Sequence, residues 1–392
     1  MAITSRFTFV GTPVLPKEKA KRPFYKEFEK TDKNGKKRKL ASMTFGVKES
    51  DTNMAFVEAF DSVQDTILTM DSDNEMLSID WDDRFDEDIV ASVAGYRKYT
   101  VDLGEDFGGR QEFITLFDMM QYLHEHLKDY RGKIMVTGQF IREWYAKKSV
   151  YLDKFRVQNV YAVSADEYKN RLSLVMDIYY NRDSIDKSEF KEKQKIYLNG
   201  YVEQYMGKDE GRKLLPMQFV FSAAKYKLEE NPKHKKLFDY KMSYIDVKNK
   251  TMVHIPWDIV LLRGAEEAEF DESMLTEKQK EQIELGLKTL DDFKPRGTIV
   301  GDRINEYRLF DPKLTGDFAD GVLEVEDTPD ELEERIYQPP KDETLDEAKK
   351  SSKTQKTKET AKTKKKTEDE DEPPFDMDTE GDSDDVDEDD LF

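Results

Sequence analysis

The sequence predicts a mainly β chain with minor α: one or two OB-like barrels, a helical acidic segment, and a disordered C-terminal tail. Three observations carry this. Segments rich in β-branched and aromatic residues, bounded by turn formers, recur through residues 1–260. One clear helix interrupts them. The charge balance then shifts: residues 1–260 hold 43 Lys+Arg and 42 Asp+Glu, residues 261–340 hold 10 and 22, and residues 341–392 hold 10 and 20. The net charge of −21 therefore lies in the C-terminal third.

The predicted strands, in order, are RFTFVGTPVL (6–15), KLASMTFGV (39–47), GKIMVTGQFIREWY (132–145), VYLDKFRVQNVYAV (150–163), RLSLVMDIYY (171–180), KIYLNGYVEQY (195–205), PMQFVFSAAKYK (216–227) and FDYKMSYIDV (238–247). The helix lies in EFITLFDMMQYLHEHL, where Phe113, Leu116, Phe117, Met120, Leu123 and Leu127 recur at helical spacing. It directly precedes the strand at Ile134, the place of the helix joining the third and fourth strands of an OB barrel. A β-sandwich explains the strands but not the helix. KIMVTG (133–138) matches KIYLNG (195–200) in three of six places, which suggests one hairpin repeated in two barrels. Further on, Thr276 with Gln279 is a capping-box start, with Ile283, Leu287 and Leu290 as one apolar stripe; Thr328, Pro329 and Glu331 start another helix.

The resulting division is 1–165, an OB-like nucleic-acid-binding domain with a basic N-terminal hairpin and an inserted acidic loop and helix; 166–262, a second, smaller OB-like β domain; 263–340, an acidic helical region; 341–367, a Lys/Thr-rich linker; and 368–392, an acidic tail. The last 52 residues lack apolar periodicity and cannot offset their ordering entropy by burial.

Several classes are excluded or weakened. With no Cys there is no disulfide framework, thiol catalysis or Cys-based zinc site, which fits a reducing compartment. No signal-peptide pattern and no run of about 18 apolar residues is present. No phosphate-binding glycine loop, dinucleotide fingerprint or nucleophile elbow occurs. Of the four His, His124 and His126 sit two apart on a helix, so they diverge and read as polar surface residues. The run SIDWDDRFDED gathers Asp80, Asp82, Asp83, Asp86, Glu87 and Asp88. Two-metal nucleases need such carboxylates, but they draw them from distant segments, so a solvated loop is the plainer reading. The expectation is no enzyme, no catalytic residue, no metal and no cofactor.

The basic clusters point to nucleic acid. Residues 17–39 hold eleven Lys/Arg against four acids, interleaved with Phe24, Tyr25 and Phe28, between the first two predicted strands. That is where OB barrels grip oligonucleotides. Lys and Arg neutralise phosphates, and exposed rings stack on bases. The candidates here are Lys21, Arg22, Phe24, Tyr25, Lys36, Lys37, Arg38 and Lys39. A second cluster holds Arg142, Trp144, Tyr145, Lys147, Lys148, Tyr151 and Lys154, with Trp144 and Tyr145 read as an exposed turn. In the third, alternation puts Ile196, Leu198 and Val202 on one face and Tyr197, Tyr201 and Tyr205 on the other, joined by Lys208, Arg212, Lys213, Lys225 and Tyr226.

The chain ends DDVDEDDLF, after fifteen acids and no base in residues 368–392. Together with OB-like basic, aromatic hairpins, this ending resembles the single-stranded DNA-binding proteins of bacteria and phages. Those proteins join OB cores to disordered linkers and acidic tails with a terminal Phe. The ending lacks the Pro-Phe of bacterial members, and Leu391-Phe392 is nearer to phage versions. The resemblance implies binding and protection of single-stranded DNA in replication, recombination and repair, in a bacterial or phage-infected cytoplasm, with no membrane partner. It also implies recruitment of a polymerase, helicase or primase through Asp387, Glu388, Asp389, Asp390, Leu391 and Phe392. The alternatives are a phage structural or assembly protein with a solubilising tail and, further off, a metal-dependent nuclease.

Overall fold

The computed structural model describes residues 5–339 except 32–34, 209, 227, 229–230, 249, 269–274 and 294–298; the side chains at 225, 266–268, 290–291 and 299–302 also fall outside the description. Within residues 1–339, which form one compact unit, the chain opens with β1 (Arg6–Val14), a hairpin of β2 (Tyr25–Thr31) and β3 (Lys37–Lys48), and β4 (Met54–Ser62). A small hairpin, β5 (Thr66–Met70) and β6 (Met76–Asp80), leads to helix α1 (Glu87–Ser92). Then come β7 (Tyr99–Asp102), β8 (Arg110–Phe113), helix α2 (Leu116–His126), and the long strands β9 (Lys133–Tyr145) and β10 (Val150–Val163).

The pairings close a five-stranded barrel. β1 pairs β3, β3 pairs β4, β4 meets β10 in parallel, β10 pairs β9, and β9 returns to β1. That is the OB order, with the helix between the third and fourth strands as expected. The interior is aromatic: Phe7, Phe9 and Phe155 meet with ring centroids 4.5–5.5 Å apart. β9 and β10 cross closely at Gly138, where a Cβ would lie 1.9 Å from the Arg156 carbonyl oxygen. Helix α2 is set by two caps: the Thr115 side chain accepts from the Asp118 N–H, and the Asp61 carboxylate accepts from the Phe117 N–H at 3.0 Å. Phe117, Met120, Leu123 and Leu127 are buried beneath it, whereas Phe113 belongs to β8.

The second half repeats the topology. It runs β11 (Arg171–Tyr180), the short β12 (Ile185–Asp186), α3 (Phe190–Lys193), β13 (Lys195–Tyr205), β14 (Arg212–Ser222), α4 (Pro232–Ile245), β15 (Val253–Ala268), α5 (Glu277–Glu284) and β16 (Ile299–Pro312). β11 pairs β13, β13 pairs β14, β14 meets β16 in parallel, β16 pairs β15, and β15 returns to β11. This is a second OB barrel, cored by fully buried Trp257, Phe219, Leu198 and Ile255. Last come β17 (Leu323–Glu324) and α6 (Pro329–Arg335).

Several expectations are corrected. The segment 238–247 is helix, not strand: Asn231 caps α4, Pro232 sits at its first turn, and Phe238, Lys241 and Ile245 are buried at helical spacing. The 133–138/195–200 match equates the fourth strand of one barrel with the second of the other, so the repeat lies in the topology and not in that hairpin. Residues 263–340 are not simply helical, because β15 runs on to Ala268 and β16 supplies the fifth strand of barrel two. That barrel therefore extends to Pro312 rather than closing at 262, since without β16 its β14 and β15 edges stay unpaired. Helix α5 starts with the Thr276–Gln279 box but stops at Glu284, leaving Leu287 70% exposed. Residues 340–392, with the linker, the tail and the expected disorder, lie outside the described residues.

The barrels are tied by strand and loop. Arg6–Val10 of β1 pairs β11 on one edge while the other edge pairs β9. The β3–β4 loop docks on β15: Asn53 Nδ2 donates to the Leu261 carbonyl at 3.1 Å, and the Arg263 N–H donates to Asn53 Oδ1 at 2.7 Å. Gly264 has φ +153°, and a Cβ there would stand 2.1 Å from the Thr52 carbonyl oxygen. Any side chain would push the two barrels apart.

Candidate nucleic-acid interface

On barrel one, alternation sorts β3 and β4 into two faces. Ala55, Val57 and Ala59 of β4 are buried inward; Phe56, Glu58 and Phe60 point outward, and Phe60 is 40% exposed. The cross-strand partners are Ser42↔Phe60, Thr44↔Glu58 and Gly46↔Phe56. β2 extends this face through Lys26↔Ser42, Phe28↔Leu40 and Lys30↔Arg38. The Phe28 and Phe60 rings lie 6.4 Å apart, and the Lys26 ammonium sits 5.2 Å over Phe28. The exposed Phe60 ring, the half-buried Phe28 ring, hydroxyls from Ser42 and Thr44, and three cations thus share one outer face, formed by β2 and the second and third barrel strands. That face binds oligonucleotides in OB barrels. It can stack bases and neutralise phosphates.

The opposite side of the β2 hairpin packs on α2. Phe24 is buried with its ring 6.3 Å from Phe45, so it is core and not a base platform. Tyr25 stacks on His124 at 4.4 Å and donates to Glu27; burial, then Glu27, push its phenol up. Burial alone would raise the Glu27 carboxyl, but hydrogen bonds from Lys39, Tyr25 and Gln121 outweigh it and hold it down at about 2. Lys39 therefore faces the helix, and Lys36 pairs with Asp65. Lys21, Arg22 and Lys37 are exposed, and Arg38 is half-buried on the outward face. The two helix histidines are packed rather than surface residues: His126 lies 4.3 Å from the Tyr122 ring.

The β9–β10 hairpin is a seam, not an exposed turn. Trp144 and Tyr145 lie in β9, half-buried, and Trp144 meets Tyr151 edge-on at 4.9 Å. Arg142 pairs with Asp153 beneath the Tyr151 ring, and Tyr307 of barrel two donates to Asp153 at 2.8 Å. Gln204 of β13 exchanges hydrogen bonds with the Arg142 backbone at 2.7 and 3.0 Å. These groups hold one barrel to the other. Lys154 pairs with Glu143 at 2.6 Å; Lys147 and Lys148 are exposed at the tip.

On barrel two, Ile196, Leu198 and Val202 are core and the Tyr residues face outward, as alternation requires. Yet Tyr197 donates to Glu189 at 2.7 Å, which, with burial, raises its phenol to about 12. Tyr201 packs under α6 with Leu332 and Ile336. Arg212 pairs with Glu203 at 2.6 Å, and Lys213 donates to the Glu334 carbonyl at 2.9 Å. Tyr226 is 4% exposed and belongs to the core beside Phe238. Tyr205, 63% exposed, and Lys208 are open to solvent. The Lys225 side chain and Asp387, Glu388, Asp389, Asp390, Leu391 and Phe392 lie outside the described residues.

Phe56 and Phe60 lie outside the basic clusters that the sequence singles out, and Phe28 lies within one only as an interleaved ring. Their signal is MAFVEAF, which alternates small inward residues with aromatic or charged outward ones. The acidic run at 80–88 is used structurally: Asp86 caps α1, accepting from the Asp88 and Ile89 N–H groups. Among the described residues no three His, Asp or Glu converge as metal ligands, and no helix is long and apolar enough to cross a membrane.

No family model matches this chain, and no curated protein matches it. The crystal structure of wild-type single-stranded DNA binding protein from Thermus aquaticus aligns with 70% of this chain and 99% of its own, at 8% identity and a TM-score of 0.27. An overlay that loose equates no residues between the two chains and carries no argument about this one.

Proposed function

We propose that the protein binds single-stranded DNA along the outward face of β2, β3 and β4, without sequence preference, without metal and without cleaving it. It would protect the strand during replication or recombination, while residues 368–392 recruit a replication protein. One observation carries this: Phe60 on the third strand of an OB barrel and Phe28 on the β2 strand that extends the same outer face, 6.4 Å apart with Lys26 over Phe28. Solvent-facing phenylalanines are costly in a face with no partner, and bases are flat apolar partners flanked by the phosphates that Lys26, Lys30 and Arg38 could meet.

The test is fluorescence anisotropy with labelled oligo(dT), with and without Mg²⁺. Phe28→Ala and Phe60→Ala should each weaken binding about 5- to 150-fold, the equivalent of about 1–3 kcal/mol per stacked base, with unchanged circular dichroism. Binding that survives both substitutions, or equal affinity for duplex at matched salt, overturns the site. Cleavage in Mg²⁺ overturns the non-enzymatic reading. For the tail, a pull-down from replication extract that recovers the same polymerase, helicase or primase with and without Phe392 removes the recruiting role.

A further inference from the structure

The two barrels differ on one face. On barrel one the outside of the second and third strands is open. On barrel two the matching surface of β13 and β14 carries Tyr201, Tyr205, Arg212 and Lys213, a similar mixture of rings and cations, but residues 323–337 lie across its β13–β14 turn end. β17 pairs the start of β15, and the Val325 N–H donates to the Met252 carbonyl at 3.0 Å. α6 then crosses the face, Ile336 bridges Leu214, and the Tyr337 N–H donates to the Leu214 carbonyl at 2.9 Å.

The strap is acidic, with seven acids and one base between Leu323 and Pro339. It meets the basic edge of that face at two points. Lys213 is held by the Glu334 carbonyl, and Arg335 joins Arg212 on Glu203 at 2.7 and 2.6 Å. Its attachment is slight: α6 has seven residues, and Val325, Leu332, Ile336 and Tyr337 are only half-buried. Such short peripheral segments open at low cost. At its far end the Tyr337 ring lies 6.4 Å from Tyr151, on the seam hairpin of barrel one.

We propose that this strap is a built-in competitor covering a second single-strand site on barrel two. Its apolar side covers Tyr201 and its Glu334 carbonyl holds Lys213, and both become available when it lifts. The inference rests on the reading of barrel one above.

The experiment compares oligo(dT) long enough for one barrel with oligo(dT) long enough for two. It uses the full chain, the Ile336→Asp variant, and a Leu214→Cys/Ile336→Cys pair. The natural chain has no Cys. Paired residues on adjacent strands lie about 4.8 Å apart, inside the about 4.4–6.8 Å a disulfide spans. Releasing the strap should tighten long oligonucleotides about tenfold or more if it is open less than about a tenth of the time, leaving short ones unchanged. Oxidation of the Cys pair should abolish the length advantage, and reductant should restore it. The same length dependence in the wild-type, oxidised and reduced proteins overturns the proposal, and this comparison decides even if Ile336→Asp fails to fold. Short oligonucleotides that fail to bind the wild type would sink the barrel-one reading as well, so the two failures are distinct.

Discussion

Single residues decide which basic-aromatic clusters face solvent. Phe24, Phe28 and Phe60 are the same side chain, yet Phe24 is core and the other two line the outward face. Period-two alternation turns Phe60 outward once β4 is placed, but it gives Phe24 and Phe28 the same parity; Phe24 precedes β2 and is drawn inward by its packing on Phe45. Tyr226 and Trp144 were misjudged for another reason: aromatic rings between lysines satisfy a stacking pattern and a packed seam equally well. Two predictions belong at this scale. Glu27 is held at about 2 against an ordinary 4.5, so its contribution is present above pH 4.5 and is lost as pH falls through 2. Glu27→Gln should therefore flatten the loss of stability between about pH 4.5 and 2, measured by urea melts across that window. Gly264→Ala should destabilise by more than about 1 kcal/mol, because both its φ and the Thr52 carbonyl exclude a Cβ. A substitution that leaves the melting temperature unchanged would show that the inter-barrel loop does not hold there.

Elements were legible where periodicity was strong and unread where tertiary context supplied the decision. The long strands β1, β9, β10, β11 and β13 and the helix α2 follow from alternation and helical spacing. β15 and β16 escaped because charge dominates their ends, and α4 was read as a strand because its aromatics resemble strand residues. Its helical start was written in Asn231-Pro232. The cost of this helix is a buried cation: Lys241, 4% exposed, pairs with Asp311 at 2.8 Å and donates to the Phe310 carbonyl at 2.7 Å. Lys241→Ala should destabilise barrel two by about 1–3 kcal/mol through the orphaned partners, visible as a lower urea midpoint. At the other barrel, Thr115→Ala removes the α2 cap and should cost about 1 kcal/mol. No change in either variant would mean that the helices are held by their apolar faces alone.

For the whole molecule, a net charge of −21 misdescribes barrel one, because residues 1–260 are nearly neutral, with 43 Lys+Arg and 42 Asp+Glu, and the excess acid follows them. Affinity for oligo(dT) should fall with salt at a slope of about −2 to −3.5, for three to five phosphates at about −0.7 each. A flat dependence would argue for apolar contact only. The sequence showed the class of fold and one helix in its OB position, but not that the second barrel needs a strand from beyond residue 299 or that β1 belongs to both barrels. That sharing has a consequence for how the chain is made. When barrel one has left the ribosome, the edge of Arg6–Val10 that later pairs β11 has no partner, and it waits until residues 171–175 follow. During synthesis an exposed strand edge is a template for pairing with another chain. The fragment 1–165 should therefore associate at concentrations where the full chain is monodisperse, and it should regain solubility when residues 166–339 are supplied. A nascent chain of this protein carries its own unfinished β-sheet until the second barrel arrives to close it.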